Sequence, residues 1–317
     1  MSLINEIDFR KEIENLKKKK NAIILAHFYV RPEIQDIADY VGDSLGLSQK
    51  AAETKADIIV FAGVNFMAET AKILSPEKKV LLPDIEAGCS LAESIPANEF
   101  LEFKKKYPGY LVISYVNTTA EIKSMSDICC TSSNARQIVE SLPPYQKIIF
   151  APDKNLGNYI NSITSREMVL WNGQCHVHHE FSLKGILELK EKHKNAKILA
   201  HPECKRPILL VSDYIGSTSE LLKYSETDSS EEYIVVTESG ILHKMNEKSP
   251  QKTFFPAPSE DPNCMCSDCN FMKLNTLEKL YNCLKNEKPE ILIEEELRLK
   301  ALRPIQRMLE ISEQLGI

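Results

Sequence analysis

No stretch of this 317-residue chain carries the roughly 18–20 apolar residues that a membrane-spanning helix needs. The N-terminus, MSLINEIDFRKE, is charged and has no apolar segment, which excludes a secretory leader. Positive charge is not in excess either. The formal net charge is −6, and no basic stripe is available for a phosphate backbone, so nucleic acid is not an expected partner. The dense basic patch Lys17–Lys20 ends a predicted first helix, where cations suit the helix dipole, and reads as a solvated helix end. The expected location is therefore the cytoplasm, where structural disulfides are rare. Yet the chain has nine cysteines, which points to thiolates for metal binding or catalysis, with some buried as plain hydrophobes. Hydrophobic residues at 43% and charged residues at 26% are ordinary for a globular protein, and the length suggests two or three lobes.

Three of the cysteines, Cys264, Cys266 and Cys269, crowd the stretch DPNCMCSDCNFMKLN. A cluster that tight suggests a metal, but one metal rarely takes all its ligands from so short a segment. The alternative is that the segment lends one ligand to a site built by the whole chain. Periodicity supports a chain-wide design. Short apolar runs recur at 21–29 (NAIILAHFY), 110–117 (YLVISYVN) and 196–203 (AKILAHPE), and each reads as a buried strand. Each ends in two functional side chains on one face: His27 and Tyr29, Tyr115 and Asn117, His201 and Glu203. A second run follows at 57–63, 127–133 and 233–240, and a third, ending in proline, at 78–84, 146–153 and 252–258. On this alignment the step from Tyr115 to Ser132 is only 17 residues, against 36 from His27 to Gly63, so the middle copy reads as shortened.

The reading is an α/β fold of three homologous βαβαβ domains, each a three-layer α/β/α unit. The boundaries are 1–88 plus 270–317, then 89–174 (the shortened copy), then 175–269. Capping-box patterns place helix starts at Asn134, with Gln137, and at Asn275, with Glu278. Ligands of parallel α/β sheets sit beyond the carboxyl ends of the strands, so three such units would surround one central cavity.

Each copy delivers a cysteine past its third predicted strand: Cys89, Cys175, and one of Cys264, Cys266 and Cys269. Three thiolates leave a metal centre one ligand short, which suits an iron–sulfur cluster with one open iron. His178, three residues after Cys175, is expected at or beside the metal, and His176 and His179 are read as ordinary residues. Small hydroxyl residues recur in GDS (42–44), TSS (131–133) and GST (216–218). Before helices, such residues hold anions, although helix capping explains any one of them alone.

These residues, with the stretches AHFYVRPEIQDIADYVGDSLGLS, FAGVNFMAETAKIL, LPDIEAGCSLA, YVNTTAEIKSMSDICCTSSNA, WNGQCHVHHEF and CNFMKLNTLEKL, resemble the quinolinate synthase family along nearly the whole chain. The resemblance implies pseudo-threefold symmetry around a central active site. It implies a [4Fe–4S] cluster on Cys89, Cys175 and Cys269, with Cys266 the next choice for the third ligand. It also implies condensation of iminoaspartate with dihydroxyacetone phosphate to quinolinate in NAD biosynthesis. An aspartate oxidase or dehydrogenase would supply the unstable imine. The phosphate is expected at Ser44 and Ser132 near His27. The carboxylates are expected at Asn117, Ser217 and Thr218, assisted by His201. Glu203 is expected as general base, and Tyr29 and Tyr115 as proton relays. A closing lobe, the third copy, would exclude water. Two other readings stay open: a [4Fe–4S] hydro-lyase, and a binding protein with a structural zinc knuckle in CMCSDC.

Overall fold

The computed structural model describes residues 8–260 and 267–317. Three four-stranded sheets, all of whose pairings are parallel, make up its frame. The first holds β1 (Ala22–His27), β2 (Tyr40–Gly42), β3 (Ile58–Ala62) and β4 (Lys79–Leu81) in the order β2-β1-β3-β4. The second holds β5 (Leu111–Tyr115), β6 (Ile128–Cys130), β7 (Ile148–Ala151) and β8 (Val169–Leu170) in the order β6-β5-β7-β8. The third holds β9 (Lys197–Ala200), β10 (Tyr214–Ile215), β11 (Glu232–Val236) and β12 (Thr253–Pro256) in the order β10-β9-β11-β12. Helices cover the faces, so a central strand such as β3, Ile-Ile-Val-Phe-Ala, is buried at every position.

The topology corrects the strand count and the shortened middle copy. Each unit has four strands, not three. β6 pairs with β5 as β2 pairs with β1 and β10 with β9, so the run at 127–133 is an edge strand. The counterpart of β3 and β11 is β7. With that register the copies agree: His27 to Ser44, Tyr115 to Ser132 and His201 to Thr218 are each 17 residues. The misreading has a physical cause. β2, β8 and β10 are two or three residues long, mostly half-buried and at sheet edges, so they leave no apolar run to detect.

Both predicted capping boxes also fail. Asn134 precedes its helix, but its Oδ1 accepts from Thr131 N–H at 2.6 Å and its Nδ2 donates to Ser312 Oγ at 3.0 Å. Thr276, not Asn275, caps the helix Leu277–Asn286, and Asn275 Nδ2 donates to Gly63 O at 2.9 Å. Lys17 is not solvated: it is buried, with Asp39 at 2.8 Å and Glu14 at 2.9 Å.

Inner faces of the three sheets merge into one core that includes Leu25, Phe61, Tyr115, Phe150, Leu199 and Tyr233. The outer faces of the second and third sheets have separate cores, around Phe100 and around Phe181. The last helix, Glu295–Leu315, packs on β6 and the helix Ala120–Ser124 of the second unit as well as on Asn65–Leu74 of the first. The tail assigned to the first unit is thus a seam between two. Among the described residues no helix is long and apolar enough to cross a membrane.

Candidate active site

The carboxyl ends of the three sheets face one cavity of about 670 Å³, mouth included. Each unit contributes the same parts. From the ends of β1, β5 and β9 come His27 and Tyr29, Tyr115 and Asn117, and His201 and Glu203. From the helix that follows the edge strand come Ser44 and Thr218, each its first residue, and from just ahead of it in the second unit comes Ser132. Past the fourth strand come Cys89, Cys175 and Cys269. His178 also lines the wall. Of the residues named from sequence, Ser217 is the one the cavity leaves out. Its hydroxyl accepts from Glu220 N–H, and Glu220 Oε2 accepts from Ser217 N–H at 2.7 Å, so both groups are spent on a capping box. Cys264 and Cys266 lie outside the described residues.

Sequence reasoning missed three participants. His176, read as ordinary, lines the cavity, with Nδ1 2.7 Å from Ser90 Oγ. Glu238 lines it too, and Thr237 joins the network behind it. The signal for both was present: TESG follows an apolar strand just as PDKN does, which puts Glu238 where Asp153 stands, two residues past the end of β7.

Glu203 is the hub. Tyr115 OH donates to its Oε1 at 2.6 Å, and His178 Nδ1 lies 3.1 Å from its Oε2, off the axis of a proper hydrogen bond. His201 stacks on His178 with ring centres 4.5 Å apart. His178 Nε2 meets Thr237 Oγ1 at 2.9 Å, and Tyr29 OH lies 2.7 Å from both Thr237 Oγ1 and Thr218 Oγ1. A continuous hydroxyl–imidazole chain therefore runs from the first unit to the third. The backbone repeats one device in two copies: Tyr29 N–H donates to His27 Nδ1 at 3.2 Å, and Glu203 N–H to His201 Nδ1 at 3.4 Å. Each imidazole is thereby left with its proton on Nε2. Asn117 Oδ1 is buried without a partner among the described residues, an acceptor open to a ligand.

Burial and charge push the two glutamates apart. Burial would raise the Glu203 carboxyl, but His178, His201 and the Tyr115 hydroxyl hold it down to about 2. Burial raises Glu238 to about 7 despite the Lys273 ammonium at 2.8 Å. Burial also lowers His27 to about 4 and His201 to about 3, so both are neutral donors at physiological pH. Tyr29 and Tyr115 are raised by burial first, then by nearby carboxylates and, for Tyr115, its bond to Glu203, and keep their protons.

The cysteines are free, and burial pushes Cys89 up to about 12, Cys269 to about 11 and Cys175 well above the usual range. Thiols held that high are poor nucleophiles; a bound cation is what would make them thiolates. The site has donors for a metal. Cys175, His178 and Glu203 present ligand atoms within 4.8 Å of one another. The three cysteines form a wider triangle of like donors, close enough that each is felt in the ionisation of Cys175. Glu203 already serves Tyr115 and His178 already serves Thr237, whereas the thiols meet backbone N–H groups of the turn that follows each, which a metal-bound thiolate could keep.

The family model for "Quinolinate synthetase A protein" matches residues 11–310. The chain is 60% identical to a quinolinate synthase of Thermosynechococcus vestitus over 306 residues, 96% of each chain. It is 57% identical to one from Chloroherpeton thalassium, over 98% of this chain and 96% of that one. It is 60% identical to one from Synechocystis sp., over 95% and 94%. A match along nearly the full length, with one cysteine and one strand-end pair contributed by each of three sheets to a single cavity, has one conclusion: the chain belongs to the quinolinate synthetase A family.

Proposed function

We propose that this cavity condenses iminoaspartate with dihydroxyacetone phosphate into quinolinate, for NAD biosynthesis in the cytoplasm, with a [4Fe–4S] cluster on Cys89, Cys175 and Cys269. The observation that carries the reading is the trio itself. Three cysteines in no disulfide come from the loops beyond the fourth strands of the three sheets into the cavity that holds Glu203 and Tyr115. The reaction balances as one carbon–carbon and one carbon–nitrogen bond formed, with one phosphate and two waters released. When bound, the cluster would supply a Lewis-acidic iron with an open position, which eases loss of hydroxide.

The chain's own groups divide the remaining work. Ser44 and Ser132, at the starts of two helices, offer hydroxyls to the phosphate, and His27 adds a neutral N–H. Asn117, Thr218 and His201 hold the diacid; the unpartnered Asn117 Oδ1 suits the imine N–H. Glu203, ionised at working pH, takes a proton from the carbon beside the imine, directly or through Tyr115, and makes that carbon the nucleophile. A carboxylate held that low is a weak base, so position rather than basicity is its contribution. Tyr29, wired to His178 through Thr237, returns protons to the departing oxygens. The imine, short-lived in water, would come from an aspartate oxidase or dehydrogenase.

One observation favours a second reading. The Cys175, His178 and Glu203 donors lie within 4.8 Å, a spacing that a single zinc would accept. Iron, sulfide and zinc counts on anaerobically purified protein, followed by a quinolinate assay, separate the two. About four irons and four sulfides per chain, with quinolinate formed, is the expected result. Zinc without iron would overturn the proposal.

A further inference from the structure

Two residues beyond the third strand of the second and third sheets lies a carboxylate with the same task. After β7 it is Asp153, and after β11 it is Glu238. Asp153 is fully buried; its Oδ2 accepts from Cys175 N–H at 3.1 Å and its Oδ1 from Leu156 N–H at 2.8 Å. Glu238 is 1% exposed; its Oε1 accepts from Cys269 N–H at 3.0 Å and its Oε2 from Gly240 N–H at 2.7 Å. After β3 the position is Val64, and there the next residue's backbone does the tying: Asn65 N–H donates to Ala87 O at 2.8 Å. Each cysteine loop is thus anchored to its sheet at one equivalent point, two by a buried carboxylate and one by main chain.

We propose that Asp153 and Glu238 are positioning residues for Cys175 and Cys269, each fixing the cysteine's peptide so that its thiol points into the shared cavity. The inference rests on the reading of these cysteines as metal ligands. A buried carboxylate is an expensive anchor; one oxygen of Asp153 caps the helix Lys154–Thr164, and the other is spent on the peptide of Cys175. The Glu238 tie also reaches across units. Lys273, four residues after Cys269, pairs with Glu238 and donates to Tyr29 O at 2.9 Å, while Arg31 Nε donates to Lys273 O at 2.8 Å. The Cys269 loop is therefore set against both the third sheet and the cavity end of the first. Groups that orient metal ligands in this way cost about 10- to 100-fold in metal retention when removed.

Glu238→Gln keeps an acceptor and loses the charge; Glu238→Ala loses both. In metal-free protein, alkylation of Cys269 by iodoacetamide, mapped by mass spectrometry, is expected to rise at least about tenfold in Glu238→Ala and to stay near wild type in Glu238→Gln, with Cys89 unchanged in both. In protein loaded with iron and sulfide, iron loss to a chelator should accelerate by a similar factor in the alanine variant alone, with a changed EPR line shape. Equal alkylation in the two variants would mean that charge, not position, is the effect, and wild-type rates in both would mean no effect at all; either overturns the proposal. Should Glu238→Ala not fold, Glu238→Leu fills the volume without an acceptor and is read the same way. Wild-type protein that takes up no iron would instead defeat the cluster reading, while the alkylation rates still decide the anchor.

Discussion

At the scale of single residues, the cavity holds like groups in opposite states. Glu203 and Glu238 share one cavity wall, yet one is held ionised by imidazoles and a phenol and the other is pushed toward neutrality by burial. In the proposed reaction that separation would let one pocket hold an acceptor and a donor of protons at a single pH. Glu203→Gln removes the negative charge and leaves Tyr115 a neutral carbonyl to bond. The variant should retain its iron and its thermal midpoint within a few degrees and lose at least about 100-fold in turnover, measured as quinolinate formed per chain. Turnover within a factor of a few of wild type would remove Glu203 as the base.

At the scale of elements, short ties between helices and strands hold the frame that aims the site. Glu287 shows how. It sits just past the helix Leu277–Asn286 in the left-handed region, at φ 53°, and its carboxylate reaches Lys20 at the end of the first helix and Lys79 on β4. Those two ammonium groups hold its pKa down to about 2. A depressed carboxyl contributes stability that is fully present above its unfolded value near 4.5 and is lost as pH falls toward 2. Glu287→Gln should therefore lower the thermal midpoint at pH 7 by about 1–3 °C, a small effect because the groups are partly exposed. The gap to wild type should narrow below pH 4.5 in paired thermal melts. A gap that persists unchanged at pH 3 would remove charge as its cause. The same scale shows why the two capping boxes misled: Asn134 and Asn275 have capping chemistry, but each spends its amide on another part of the chain.

At the scale of the whole molecule, the cavity exists only between the units. Tyr115 from the second reaches Glu203 of the third, and Tyr29 from the first reaches Thr218 and Thr237 of the third. Gly240 sits against the first unit so closely that a Cβ there would come 2.7 Å from Phe28 O. A ligand touching all three walls ties them together. Quinolinate at about 100 times its dissociation constant should stabilise the chain by about 2.7 kcal/mol, and that gain should shrink in Asn117→Ala, as read by thermal shift. Ligand-free and quinolinate-bound crystals should differ by a rotation of residues 175–269 against the rest, and superposition without rotation would remove the closing lobe.

The sequence by itself determined the α/β class, the threefold repetition and most of the cavity's lining. It could do so because buried parallel strands are apolar runs and their carboxyl ends carry the functional pairs, so His27, Tyr115 and His201 mark the walls of the cavity before any fold is known. It could not count the strands, because edge strands of two or three half-buried residues have no pattern of their own and exist only through pairing. Nor could it separate Ser217 from Thr218: adjacent hydroxyls look alike until the helix takes one for its cap and turns the other into the cavity. His176 was hidden for the same reason, and Glu238 showed its place in the sequence but not its partners. What a buried carboxylate or imidazole does is set by what packs against it, and those neighbours are brought together only when three distant loops close on one point.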